Sequence, residues 1–307
     1  MSATPAIGRI VVAGGSGAVG SLFAERLQEA GNDVVVVDVA APGPNHPFIR
    51  FVQGDIADPD AIVTDLVRAA DAVLLSVPEP IALAAIDRIA RELRPDALIV
   101  DTLSVKSAVV PALRAAVMVA GEALSLNPMF APSLGFVGHP VASVTVRDGR
   151  RARTLRTLIE QWGARVVSVT ADQHDRMSAA SQALTHAAVI AFGAALAELK
   201  IDITDLDQIA PPPHAALLSL LARIASGAPE VYWDVQAANP HAPAARRALA
   251  RGVSQLTDVV EDDDPAAFGD LLNRLCGVLG PLQGAYRERS AKALRAITTD
   301  RTREIVK

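Results

Sequence analysis

The chain has 307 residues, enough for two domains of ordinary size, and half of them are hydrophobic, enough for a sizeable core. The formal net charge is −5 with acids and bases interspersed, which argues against a nucleic-acid or membrane-surface role built on a basic stripe. Aromatic residues make up only 4% of the chain, so aliphatic packing must dominate; the single cysteine, Cys276, excludes an internal disulfide and a thiolate zinc cluster and reads as a buried apolar residue.

The first apolar run, Ile10-Val11-Val12-Ala13, ends in glycines and predicts a strand. Leu22, Phe23, Leu27 and Ala30 then recur at helical spacing, and Gly31-Asn32 ends that helix. A second strand is predicted over 34–37, and further buried runs lie at 72–77, 97–100 and 123–126, with helical stretches such as 81–93 between them. This alternation predicts a mostly parallel sheet covered by helices on both faces. Two more strands, 141–146 and 165–169, flank a helix around 153–162. Near Thr170-Ala171-Asp172 the pattern changes, and strand signal almost vanishes beyond it. There 177–199 reads as one long apolar helix, and Pro211-Pro212-Pro213 interrupts the next helical region. Asp262-Asp263-Asp264-Pro265 reads as a helix start, its acids suited to the positive end of the helix dipole. The apolar runs are short or broken by charges and prolines, so no membrane span is expected. No signal peptide is apparent at the N-terminus, and a cytoplasmic protein is the expectation.

Gly15-Ser16-Gly17-Ala18-Val19-Gly20 matches G-x-G-x-x-G directly after a predicted strand and at the opening of a predicted helix. In that context Gly15 permits the tight turn, Gly17 lets a pyrophosphate approach the backbone, and Gly20 lets the helix pack on the strand. The free N–H groups of the helix N-terminus, from Ser16 through Ala18 and Val19, then face the phosphates. Asp38 ends the second strand about 20 residues on, where an acid bonds the adenine ribose hydroxyls and repels a 2′-phosphate. No arginine follows within the next few positions, so NAD is expected rather than NADP. The strand ending in Ser76-Val77-Pro78 should put Val77 and Pro78 under the nicotinamide half, because ligands of doubly wound sheets bind at strand C-terminal ends. The fold expected is therefore α/β: an N-terminal Rossmann-type doubly wound parallel sheet over 1–170 and an all-α domain over 171–307.

Four separated segments together resemble the prephenate and arogenate dehydrogenase family. They are Val100-Asp101-Thr102-Leu103-Ser104-Val105-Lys106; Asn127-Pro128-Met129-Phe130 with Ala131-Pro132; Trp162-Gly163-Ala164-Arg165 with His174-Asp175; and Ser181-Gln182-Ala183-Leu184-Thr185-His186. Their order and spacing span most of the chain and are most similar to the dehydrogenase half of bacterial bifunctional chorismate mutase enzymes. The resemblance implies an NAD-dependent oxidative decarboxylase of a small cyclohexadienyl substrate, a homodimer formed through the helical domain, and no metal. Hydride leaves ring carbon 4, the ring carboxylate leaves as carbon dioxide, and the ring becomes aromatic.

Where the family motif reads His-Pro-Met, this chain has Asn127. An amide oxygen accepts a hydrogen bond but takes up no proton near neutral pH, whereas histidine does. Loss of a placed general base costs about 10²–10⁴ in rate, so a hydroxyl on carbon 4 is poorly served. An amino group there donates its lone pair more readily. The expected substrate is therefore 4-amino-4-deoxyprephenate, giving 4-aminophenylpyruvate, on a route to aminophenylalanine-derived natural products that include antibiotics. Two alternatives stand beside it. One is a prephenate or arogenate dehydrogenase that tolerates Asn127 or uses His186 or His174. The other is an NAD-binding redox sensor without catalysis.

Around Asn127 the resemblance gathers other candidates. Ser104 is a catalytic or carboxamide-binding residue, or else the N-cap of the following helix. Lys106 supplies positive charge to an anionic substrate, or is a solvated lysine. Gln182 and His186, spaced i, i+4 on one helix, touch substrate, with His186 also a catalytic candidate. Tyr232-Trp233-Asp234-Val235 and Asn239-Pro240 match a later family motif, but the arginine that binds the ring carboxylate there is replaced by Pro240 and His241. Arg246 or Arg247 is left to take its place.

Overall fold

The computed structural model describes residues 6–41, 43, 49–118 and 121–305. The chain divides into two units, Met1–Ser178 with Ala237–Pro240, and Ala179–Gln236 with His241–Lys307. In this division the helix Ala171–Ser178, in which His174, Asp175 and Ser178 are buried, counts with the first unit, so the division lies eight residues beyond the expected 170/171.

Eight strands of the first unit form one sheet: β1 (Arg9–Ala13), β2 (Asp33–Asp38), β3 (Arg50–Gln53), β4 (Ala72–Leu75), β5 (Leu98–Asp101), β6 (Glu122–Pro128), β7 (Pro140–Arg147) and β8 (Arg165–Ser168). Their order is β3-β2-β1-β4-β5-β6-β7-β8, and the first six reproduce the doubly wound 3-2-1-4-5-6 arrangement. Pairing is parallel throughout except between β6 and β7. Six helices accompany them: α1 (Ala18–Glu29), α2 (Ala61–Ala69), α3 (Glu79–Glu92), α4 (Val109–Ala116), α5 (Arg150–Gln161) and α6 (Ala171–Ser178).

The central strands are unbroken apolar runs because both faces are covered, and period-two alternation divides them between two cores. Val11, Ala13, Val73, Leu75 and Ile99 pack with Ile86, Ile89, Val109 and Leu113 of α3 and α4. Ile10, Val12, Leu74, Val100 and Leu124 pack on the other face with Phe23 and Leu27 of α1 and Leu155 and Ile159 of α5. There Phe23, Phe136 and Trp162 meet edge-on or tilted, with centroids 4.9–6.1 Å apart. The edge strand β3 and the short helix α2, which Asp60 caps by accepting from the Val63 amide, were not singled out from the sequence.

The second unit opens with a π-helical turn, Ala179–Ala183, followed by α7 (Leu184–Leu199), α8 (Ile203–Ile209), α9 (Pro212–Ala225), α10 (Pro229–Ala237), α11 (Ala242–Glu261), α12 (Pro265–Leu279) and α13 (Gln283–Ile305). The helix expected over 177–199 is therefore interrupted by the π turn, and Lys200 ends it in the left-handed conformation. Pro211 caps the start of α9, and Asp264 caps α12 by accepting from the Ala266 and Ala267 amides. The buried apolar residues here are few and mostly small, with Ala183, Val235 and Ala242 as their cluster. Large side chains such as Leu220, Leu272, Leu275 and Val278 are exposed. Cys276 is exposed as well, contrary to expectation, since α12 buries none of its residues within the chain. Also contrary to expectation, the run Ala171–Leu199 is long and apolar enough to cross a membrane by length and composition. It opens, however, with the charged residues Asp172, Asp175 and Arg176.

Candidate active site

At the C-terminal ends of β1, β2 and β4 lies a cavity of about 600 Å³, lined by residues that include Ser16, Gly17, Asp38, Asp55, Val77 and Pro78. It sits where the strand order reverses between β1 and β4, the usual ligand crevice of such sheets. The glycine loop makes its wall, with roles that differ in part from the sequence reading. The left-handed residue of the turn is Gly14 (φ +77°), where a Cβ would lie 2.2 Å from the Ser76 carbonyl oxygen. Gly15 is instead required by packing, since a Cβ there would meet Val36 at 2.6 Å. Gly20 passes the loop closely, its Cβ position 2.3 Å from the Gly14 carbonyl oxygen. Gly17 is open by comparison, with only that same oxygen near, at 3.3 Å.

Gly17 is also the N-cap of α1 and offers no capping side chain, and the first turn holds no acid. The first-turn amides, Ala18 and Val19 among them, have no carbonyl partner within the helix, so they suit an anion. The Asp38 carboxylate accepts from the Ser16 and Ala40 amides, both at 3.0 Å. Each of its oxygens keeps a lone pair for a ribose hydroxyl. Asp55, unnoticed in the sequence, adds a second acid to the lining, and among the described residues no lysine or arginine lines it. These features fit a dinucleotide without a 2′-phosphate. Behind Val77 and Pro78, the Ser76 and Thr102 hydroxyls bond at 2.9 Å and tie the ends of β4 and β5 together.

Asn127 lies near the end of β6 and is 2% exposed. Its amide nitrogen is 3.0 Å from Nε2 of His174. Nδ1 of His174 is in turn 2.8 Å from Oδ1 of Asp175, which also accepts from the Lys106 amide, while Oδ2 accepts from the Ser107 amide. Burial pushes the Asp175 carboxyl up, but the bonds from His174 and those two amides outweigh it and hold it below the usual carboxylate range. A carboxylate offers only acceptors, so Nδ1 faces it with a proton, and the Asn127 amide nitrogen, a donor only, faces Nε2 as the acceptor. The amide oxygen of Asn127 makes no hydrogen bond to another described residue.

Lys106 requires a correction. It is fully buried, and its ammonium donates to Asp101 at 2.8 Å and to the Leu126 carbonyl at 2.7 Å. Burial lowers its pKa below the ordinary lysine range against the pull of Asp101. It therefore links β5 to β6 beneath Asn127 and presents no charge to a substrate. Ser104, half-buried after β5, makes no side-chain hydrogen bond to another described residue. It is not the N-cap of α4, a place taken by Ala108.

Gln182 and His186 belong to the second unit. Gln182 sits in the π turn, a local geometry the sequence did not announce. His186 packs edge-on against Tyr232, with centroids 5.0 Å apart, and its Nδ1 is buried without a partner among the described residues. Burial and then the Arg223 charge lower the pKa of this imidazole below the ordinary histidine range. Arg246 is committed to the Gln236 carbonyl and side chain, so it does not stand free to replace the arginine missing at Pro240 and His241. Asn239 is fully buried, donating to the Asp175 carbonyl at 2.8 Å. Among the described residues no group of three or more His, Cys, Asp or Glu could hold a metal ion.

The family model described as prephenate dehydrogenase, dimerization domain, matches residues 170–274, and that of the NAD dependent epimerase/dehydratase family matches residues 10–114. A 4-amino-4-deoxyprephenate dehydrogenase of Streptomyces pristinaespiralis is 51% identical over 282 residues, covering 92% of this chain and 94% of that protein. A T-protein of Enterobacter agglomerans is 27% identical, covering 97% of this chain and 74% of that one. Among solved structures, prephenate dehydrogenase from A. aeolicus in complex with hydroxyphenyl propionate and NAD+ superimposes with a TM-score of 0.70 at 19% identity, over 90% of this chain and 97% of that one.

Proposed function

The chain belongs to the prephenate dehydrogenase family, and on that premise we propose that it converts 4-amino-4-deoxyprephenate to 4-aminophenylpyruvate with NAD as cofactor. The observation that carries the choice of substrate is Asn127, a buried amide whose nitrogen is held by His174 and whose oxygen is left to accept an N–H from the substrate. The 51% identical relative named for that substrate supports the same reading.

NAD+, when bound along Ser16, Gly17, Asp38, Val77 and Pro78, supplies the hydride acceptor. Asn127 orients the amine on ring carbon 4. The unprotonated nitrogen donates its lone pair as hydride leaves that carbon, the ring carboxylate departs as carbon dioxide, and aromatisation drives the step. Nitrogen pushes electrons more readily than oxygen, so a residue that cannot take a proton suffices where a hydroxyl substrate needs a base. Ser104, Gln182 and His186 complete the set we assign to substrate, Ser104 through its free hydroxyl at the end of β5.

We further infer a cytoplasmic homodimer built on the second unit, supported by the dimerization-domain match and the large apolar side chains that unit leaves exposed. On this reading the apolar stretch of Ala171–Leu199 is an interface helix.

The test follows NADH absorbance with prephenate, arogenate and 4-amino-4-deoxyprephenate offered separately. The amino substrate should exceed prephenate in kcat/KM by about 10²-fold or more, and comparable turnover of prephenate would sink the proposal. Asn127→His should gain prephenate activity; no gain would assign the preference to other residues.

A further inference from the structure

An asparagine amide has two orientations of nearly equal shape, related by a half-turn, one presenting an acceptor and the other two donors. Which of them meets a substrate decides whether an amine N–H is recognised or repelled. We propose that His174 is the positioning residue that fixes the Asn127 amide with its oxygen toward the substrate. The inference rests on the reading of Asn127 as the substrate's acceptor and adds the device that makes it one.

The argument runs along one chain of bonds. The Lys106 and Ser107 amides each donate to Asp175 at 2.8 Å and leave it a carboxylate. Asp175 accepts a hydrogen bond from the Nδ1–H of His174, also at 2.8 Å. Nε2 is then an acceptor, and at 3.0 Å only the nitrogen edge of Asn127 can face it without opposing two lone pairs. Asn239 fixes the α6 backbone by donating to the Asp175 carbonyl. Of the groups bonded around the ring, Asp175 faces it from its own helix, the Lys106 ammonium is turned to Asp101 and the Leu126 carbonyl, and β6 presents the Asn127 amide. His174 and Asp175 are 2% and 1% exposed, so solvent offers no alternative partner.

The same chain has a consequence under acid. A proton on Nε2 turns that atom into a donor, and the amide must then rotate its oxygen toward His174. Its N–H₂ edge would then meet the substrate and bond the amine's single lone pair, the pair that must push hydride off carbon 4. A hydroxyl oxygen keeps a second lone pair, so loss of activity in acid should be selective for the amino substrate.

Two measurements on the full-length protein test this. Nitrogen-15 imidazole spectra of the substrate-free enzyme at pH 7.5 should show His174 protonated at Nδ1 and bare at Nε2. A ring carrying its proton on Nε2 alone would overturn the proposal. His174→Gln reaches about as far as Nε2 and can accept from Asn127 but cannot titrate. Its kcat/KM for the amino substrate should stay within about tenfold of wild type near neutrality, and the ratio of wild type to variant should fall on the acid side. Ionisation of the substrate itself cancels in that ratio. A pH-independent ratio would reduce His174 to packing and also overturn the proposal. The tautomer is read without substrate, so a wrong substrate assignment would leave it standing, and a wrong tautomer would leave the substrate preference standing.

Discussion

The two units of this chain bury their side chains by different rules. The first holds two aliphatic cores, one on each face of an eight-stranded sheet, with Phe23, Phe136 and more than a dozen Val, Ile and Leu residues fully enclosed. The second is helical throughout, yet its buried cluster consists of Ala183, Val235 and Ala242, while Leu220, Leu272, Leu275 and Val278 face outward. Helices gain most of their stability by packing an apolar face, and such faces left open on a single chain are ordinarily completed by a partner. The chemistry divides in the same way. The glycine loop and the Asn127–His174–Asp175 chain lie in the first unit, and the residues of the second proposed for substrate, Gln182 and His186, lie in and just after a π turn.

The contrast can be broken most sharply at the exposed apolar face. Leu272→Glu with Leu275→Glu should convert a dimer into monomer in sedimentation equilibrium, removing about 8–12 kcal/mol if the association is micromolar to nanomolar. Thermal stability of the wild type should rise with protein concentration and that of the variant should not. A variant that stays dimeric would place the interface elsewhere. In the first unit, Lys106→Met leaves the buried Asp101 carboxyl without its cation, and should cost about 3–5 kcal/mol in urea unfolding with the oligomeric state unchanged. A loss under 1 kcal/mol would mean Asp101 finds another partner, the nearby Ser125 hydroxyl being itself unpaired among the described residues. The mildest change is Gly17→Ala. The backbone there (φ −77°, ψ 162°) accepts alanine, and the only close atom is the Gly14 carbonyl oxygen. Its melting point should barely move, while KM for NAD should rise about tenfold, some 1.4 kcal/mol, because the added methyl stands where the pyrophosphate approaches.

Much of the first unit was legible because a strand covered on both faces must be apolar at every position, and such runs are visible without any partner. The edge strand β3 escaped because its Phe51 and Val52 are only half-buried and form no run. The glycine fingerprint was read at the right place with one role misassigned, since G-x-G-x-x-G does not reveal that Gly14, one residue before it, takes the positive φ. Lys106 was misread for a related reason. A lysine next to a strand end looks solvated in sequence, and its burial depends on Asp101 and the Leu126 carbonyl being brought to it by two different strands. His174 was visible as a member of a motif, but its bond to Asn127 joins residues 47 apart and follows only from the fold. The second unit was legible as helix and no further, because its apolar residues declare burial without saying against what.

The short segment Ala237–Pro240 counts with the first unit although the sequence on both sides of it belongs to the second. The chain therefore passes between the units three times, and no single cut separates them. A fragment ending at residue 178 would carry every strand but would lack Asn239, leaving the Asp175 carbonyl on α6 without its donor. An excised nucleotide-binding module would consequently need those four residues grafted back, by a spliced loop or a circular permutation. Recombination that exchanges catalytic halves between relatives meets the same constraint, and would have to bring Asn239 along with the half that holds Asp175.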